Sequence, residues 1–190
     1  MRYSELKGKI DQPVFFDYQV ARLFRQEPKN QINVQLSRMV RRGDLIRLKR
    51  GVFLFPGSQV DEFVVANVLY SPSYVSLESV LSGAGIIPET VDSVTSVSPV
   101  TSKKISNTLG VFLYSKINRS LFFGFTQVYD PQSSRYYQAA LPEKALLDWL
   151  YIRQIKPSED LRINKEPLDM KLLLSFAEQF PEWIRKGVNE

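Results

Sequence analysis

Two amides, a hydroxyl and two guanidiniums recur at helical spacing early in this chain: Asn30, Gln31, Ser37, Arg38 and Arg41, with Val34 among them. Amide, hydroxyl and guanidinium groups presented together can bond base edges and phosphate oxygens from within a major groove. A few residues on, Arg47, Lys49 and Arg50 bring three more positive charges around a turn. Cations placed there are suited to tracking a phosphate backbone or reaching into a minor groove.

The elements that must hold these groups follow from the flanking sequence. Ile32, Leu36, Met39 and Val40 fall on the opposite side of the same helix, which predicts an amphipathic segment over 30–42. Asn30 can cap its start, and Gly43 stands where a helix end needs a left-handed residue. Apolar runs at 45–48 and 52–55 around Lys49-Arg50-Gly51 predict a two-stranded hairpin. Upstream, 4–10 reads as a short helix, and Asp17 is a good cap for a second over 18–25. Glu27-Pro28 breaks that helix, because proline disfavours helical geometry in the residue before it. Helix, helix, break, helix, hairpin is the order of a winged helix-turn-helix, expected over residues 1–58. The same features also fit a plain solvated surface, and some winged helices bind protein; the element order favours the DNA reading.

Charge is distributed accordingly. Residues 1–58 hold twelve bases and five acids, a net +7, whereas the whole chain carries +5. The remainder is therefore slightly acidic, and the positive charge belongs to the expected DNA reader. Histidine and cysteine are absent, which excludes zinc ribbons, thiol nucleophiles and histidine bases. With no apolar leader at the start and no run of about 18 apolar residues, a cytoplasmic chain without membrane contact is expected.

Past Pro56-Gly57-Ser58, residues 59–190 read as an α+β domain with a mainly antiparallel sheet. Helices are expected at 61–70, 74–82, 142–152 and 169–180, with 182–185 able to continue the last. Strands are expected at 93–97, 110–117, 121–128 and 135–141, with 118–120 as a hairpin turn and 155–167 as a loop. Lys103-Lys104 reads as a solvated turn in preference to a secondary phosphate contact. Ser76 and Ser79 read as helix caps, and Gly124 as a point of close backbone approach.

Carboxylates able to serve a metal-dependent nuclease are Glu78, Asp92, Asp130 and Glu143, with Lys144. Glu143 and Lys144 are adjacent, about 100° apart on a helix, so they do not converge. Asp92 and Asp130 flank turns, where aspartate is common. No phosphate-binding glycine loop is present, since Gly83-Ala84-Gly85 lacks the following lysine. The expectation is a non-enzyme with no catalytic residues, no metal and no cofactor.

One ordered series of short motifs carries a resemblance. It consists of Tyr74-Val75-Ser76-Leu77-Glu78-Ser79, Ile86-Ile87-Pro88-Glu89, Val94-Thr95-Ser96-Val97, Gly110-Val111-Phe112, Phe122-Phe123-Gly124 and Leu141-Pro142-Glu143-Lys144-Ala145-Leu146-Leu147-Asp148. Behind a winged helix, over about 15–152, the series resembles the AbiEi antitoxins of type IV toxin–antitoxin (abortive infection) systems. The resemblance implies a bacterial autorepressor that binds its own promoter; because one winged helix covers a short site, specificity calls for two copies on inverted repeats, with a homodimer on DNA one arrangement that provides them. It also implies an antitoxin counteracting a nucleotidyltransferase-like toxin without obligatory direct contact. The alternative is an ordinary winged-helix regulator whose second domain senses a ligand or protein partner.

Overall fold

Residues 1–89, 91–156 and 162–189 are described by a computed structural model of the chain. Its first elements are α1 (Tyr3–Lys7), β1 (Val14–Phe16), α2 (Asp17–Leu23), α3 (Lys29–Arg42), β2 (Ile46–Lys49) and β3 (Val52–Leu54). α3 begins one residue before Asn30 with Pro28 at its cap position, so Asn30 does not cap the helix. α2 starts at Asp17 itself, and the Gln19 side chain accepts the Phe16 N–H at 2.8 Å in place of an aspartate cap. Gly43 ends α3 as expected: at φ +80° it lets the Asp44 N–H reach back to the Met39 carbonyl at 2.9 Å.

β1 was not expected from the sequence. It pairs antiparallel with β3, giving the three-stranded order β1-β3-β2. The alternation along these strands separates two cores. Phe15, Phe53 and Phe55 face the three helices and pack with Leu6, Val20, Ile32, Leu36 and Met39. Val14, Leu48, Val52 and Leu54 face the other way and join a cluster that includes Val65, Ala66, Leu69, Val94, Phe112 and Tyr114. The core therefore continues across residue 58.

The rest comprises α4 (Glu62–Leu69), β4 (Tyr74–Val75), α5 (Glu78–Gly83), β5 (Ser93–Ser98), β6 (Lys103–Asn107), β7 (Gly110–Lys116), β8 (Phe125–Asp130), β9 (Arg135–Ala140), α6 (Pro142–Arg153), α7 (Met170–Ala177) and α8 (Glu182–Asn189). The expected continuation past Pro181 is a separate helix, and part of the expected 155–167 loop, 157–161, lies outside the described residues. The fold is α+β, but its six-stranded sheet is mixed and not mainly antiparallel. In the order β6-β7-β5-β4-β9-β8, the pairs β7/β5 and β4/β9 are parallel and the other three antiparallel.

Two misread segments explain that difference. Lys103–Asn107 has one apolar residue in five and looks like a turn, yet it forms the edge strand β6 against β7. β7 is left to meet β5 with its other side, in parallel. Tyr74-Val75 was expected to open a helix; it forms a short strand inserted between β5 and β9. Residues 118–120 consequently join strands that are not neighbours, and Asn118 caps a 3-10 turn over Arg119–Leu121 by accepting the Ser120 N–H at 3.2 Å.

α5 and α6 are cross-tied on one side of this sheet. Glu78 accepts two bonds from the Arg153 guanidinium, at 2.7 and 2.9 Å, and one from Trp149 Nε1 at 3.1 Å. Burial works to raise the Glu78 carboxyl, but the Arg153 and Trp149 bonds outweigh it and hold the group below its usual value of 4.5. A carboxylate depressed on folding contributes stability above its unfolded pKa and loses it as pH falls through the folded one. Stability should thus decline below about pH 4.5, and Glu78→Gln should decline less steeply there while being weaker at neutral pH. Urea midpoints from pH 7 to 3 check this; parallel acid limbs would refute it.

Candidate nucleic-acid interface

α3 buries Ile32, Leu36 and Met39 and leaves Asn30, Gln31, Asn33, Val34, Arg38 and Arg41 exposed, with Ser37 half-buried. At 100° per residue, Asn30, Val34, Ser37 and Arg41 fall within about 60° of one another, Arg38 and Gln31 to one side. Asn33, Val34, Ser37, Arg38 and Arg41 line one shallow depression, and Asn30, Gln31, Val34, Gln35 and Arg38 line the next. The residues expected on this face are thus brought together. Val34 is 49% exposed, an apolar group presented to solvent amid polar ones.

The β2–β3 hairpin closes a groove of about 320 Å³ against the other flank of α3. It is lined by Asp17, Lys29, Asn33, Ser37, Arg47, Arg50, Gly51 and Phe53. Arg47 lies over the Phe53 ring at 5.6 Å and donates from Nη2 to Ser37 Oγ at 2.9 Å, which ties the hairpin to the helix. Gly51 turns the hairpin at φ +77°, and a Cβ there would come within 3.0 Å of the Asp17 carboxylate. Glycine is therefore required twice, for backbone sign and for space. Asn33 and Lys29 were not singled out by the sequence reading, although Asn33 stands at helical spacing from both Asn30 and Ser37.

The electrostatics of the face are one-sided. Among the described residues, Arg38, Arg41 and Arg50 make no ion pair, whereas Arg42, turned away, is paired with Asp44 at 2.8 Å. Three guanidiniums held without anionic partners leave their donors free for a ligand's oxygens.

Lys49 is placed differently from the other hairpin cations. Its Nζ donates to the Leu69 carbonyl at 2.5 Å, at the C-terminal end of α4, where Lys103 also sits over the Tyr70 ring at 5.3 Å. Burial first, and then the charge of Lys103, depress its pKa. Asn107 Nδ2 reaches the Leu48 carbonyl at 3.3 Å beside it. Lys49 thus fastens the hairpin to α4, where helix carbonyls and the dipole favour a cation. Lys49→Ala should therefore leave the salt slope of polyanion binding nearly unchanged while raising hydrogen exchange of the β2–β3 amides. A slope reduced by a full counterion would assign Lys49 to the ligand instead.

The carboxylates considered for metal chemistry are dispersed. Glu78 is committed to Arg153 and Trp149, Asp130 to Ser133 and Glu143 to the Asp169 N–H. Lys144 belongs to a second cluster that the sequence reading missed. Its Nζ donates to Asp148 Oδ1 and, at 2.9 Å, to the Tyr74 hydroxyl. Tyr74 and Ser76 both donate to Asp148 Oδ2 at 2.9 Å. The rings of Phe123, Phe180 and Tyr74 surround the ammonium at 5.0, 5.2 and 5.5 Å. All four polar residues are fully buried. Burial raises the Tyr74 and Asp148 pKa values and lowers that of Lys144. Gly124, at φ +71°, packs on this lysine so closely that a Cβ would stand 2.9 Å from its Cγ. The group joins β4, α6 and the 123–124 turn and is buried from solvent. Ser76 is accordingly a partner of Asp148, and Ser79 of Thr95, rather than simple helix caps.

No protein-family model matches this sequence, and no curated protein matches it either.

Proposed function

We propose that the chain is a DNA-binding transcriptional regulator whose residues 1–58 act as a winged helix-turn-helix. In this reading α3 enters the major groove and the β2–β3 hairpin is the wing. The supporting observation is the solvent-facing side of α3, where amides, a hydroxyl and two guanidiniums without an ion pair among the described residues stand side by side. Asn30, Gln31, Val34, Ser37, Arg38 and Arg41, joined by Asn33, address bases and phosphates; Arg50 addresses the backbone, and Arg47 positions the wing on Ser37. On the resemblance to the AbiEi antitoxins, the regulator represses its own promoter and counteracts a nucleotidyltransferase-like toxin. It needs neither catalysis nor a cofactor.

A second reading has its own observation. The wing shares a core with α4 and the large sheet, and Lys49 and Asn107 bond across that junction. A ligand or protein that shifts the large sheet would then bear on the wing, as in an ordinary sensing regulator.

Fluorescence anisotropy on the upstream DNA of its own gene, against a scrambled duplex over a salt series, tests the shared premise. Preferential, salt-sensitive binding is expected; equal weak binding to both duplexes would reject the DNA reading. Growth rescue on co-expression with the adjacent gene product then separates antitoxin from sensor.

A further inference from the structure

The two edges of the six-stranded sheet are finished in different ways. β6 carries Lys103 and Lys104, and its Asn107 is tied back to Leu48. Lysines and side-chain ties of this kind keep an edge strand from pairing with another chain. β8 has neither: Phe125-Thr126-Gln127-Val128-Tyr129-Asp130 contains no lysine and no proline, and its register with β9 runs without a bulge. Its acid, Asp130, is buried and held by Ser133.

The phase of the β8/β9 ladder decides which backbone groups β8 leaves open. The Leu141 N–H donates to the Gly124 carbonyl at 3.0 Å, so the hydrogen-bonded pairs alternate from there to Thr126/Ala139, Val128/Tyr137 and Asp130/Arg135. Gln138 is out of phase with β8, and accordingly its N–H and carbonyl are taken by the Asn67 side chain, at 2.8 and 3.3 Å. The N–H and carbonyl groups of Phe125, Gln127 and Tyr129 therefore point outward in a row. Among the described residues they have no partner. Beside them, Tyr129 and Tyr136 are 49% and 64% exposed, with ring centroids 5.0 Å apart.

We infer that β8 pairs antiparallel with β8 of a second copy of this chain, about a two-fold axis through Gln127. That register sets Gln127 opposite the partner's Gln127 and Phe125 opposite the partner's Tyr129, so all the outward groups are used at once. The side-chain row becomes Tyr136, Tyr129 and the partner's Phe125, an aromatic ladder of the kind that stabilises paired strands. At the axis lie two neutral amides able to bond one another. Such an axis is normal to the sheet, so both copies keep α4, and the α3 face beyond it, on the same side. A second copy fits that geometry better than an unrelated strand, because one duplex read by two heads needs both on one side.

The choice of a second copy rests on the DNA reading, but the pairing needs no DNA, so its test can fail or succeed separately from that reading. Sedimentation equilibrium of the full chain should show reversible association from 21.9 kDa to twice that mass. Gln127→Pro removes the central outward N–H and leaves the bonds to β9 in place; it should be monomeric with an unchanged circular dichroism spectrum. Should that variant misfold, Gln127→Lys sets like charges face to face and should weaken association at least tenfold. Because the chain has no cysteine, Gln127→Cys should cross-link on mild oxidation while Lys104→Cys on the other edge should not. A monomer at all concentrations up to about 0.1 mM, or a dimer indifferent to both Gln127 variants, would overturn the inference.

Discussion

Lys144→Ala should lower the unfolding free energy by about 3–5 kcal/mol, because it strands a buried carboxylate. Asp148 would keep the Tyr74 and Ser76 hydroxyls and lose the Lys144 ammonium, inside a shell of aromatic rings. For a chain of this length the loss corresponds to a melting temperature lower by on the order of 10 °C. The charge, and not the bulk, is the cause, so Lys144→Met should fail almost as badly even though it fills the space. Lys144→Met with Asp148→Asn should recover part of the loss, since no net charge is then left inside. Calorimetry on the four proteins checks the series. If Lys144→Met is as stable as the parent, the ion pair contributes nothing and the packing alone holds this junction.

Arg38→Ala and Arg41→Ala should each weaken specific DNA binding by about 1–3 kcal/mol where the guanidinium reads a base edge in bidentate fashion. Lysine in either place tests the geometry, because a point charge keeps a phosphate contact but cannot supply a planar fork. If Arg38→Lys retains preference for the upstream DNA over the scrambled duplex, Arg38 is a phosphate contact. Its alanine variant should then flatten the salt dependence by about one counterion. Both side chains are exposed and make no ion pair among the described residues, so neither change should disturb the fold. Variants that bind the upstream DNA as the parent does would show that this face of α3 is not the reading surface.

Helix α3 was legible because three local signals agree: the apolar stripe Ile32, Leu36, Met39, the break at Pro28 and the stop at Gly43. The hairpin was legible for the same reason. What failed was whatever depends on distant partners. β6 has almost no apolar pattern, since it is an edge with one inward isoleucine, and β4 is a strand only because β5 and β9 flank it. Lys144 and Asp148 did leave a trace, an i,i+4 pair of opposite charges on a helix whose neighbouring residues are nearly all buried. That combination signals burial of the pair, but Tyr74 and Ser76 lie some seventy residues away, and nothing local links them to it. Within the site, Asn33 was readable from the wheel, whereas the inward turn of Lys49 depends on α4.

Val52-Phe53-Leu54-Phe55 is buried on both faces, and in that lies a consequence for how the gene can be cut and rejoined. Pro56-Gly57-Ser58 looks like a natural splice point, yet a fragment excised there would carry Val14, Leu48, Val52 and Leu54 bare into water. Each exposed side chain costs about 1.5–3 kcal/mol, which is a large share of a small domain's stability. Joining residues 1–58 to a foreign domain would therefore require a replacement for α4 and its underlying strands, so this part of the chain should be inherited together with the body that it rests on.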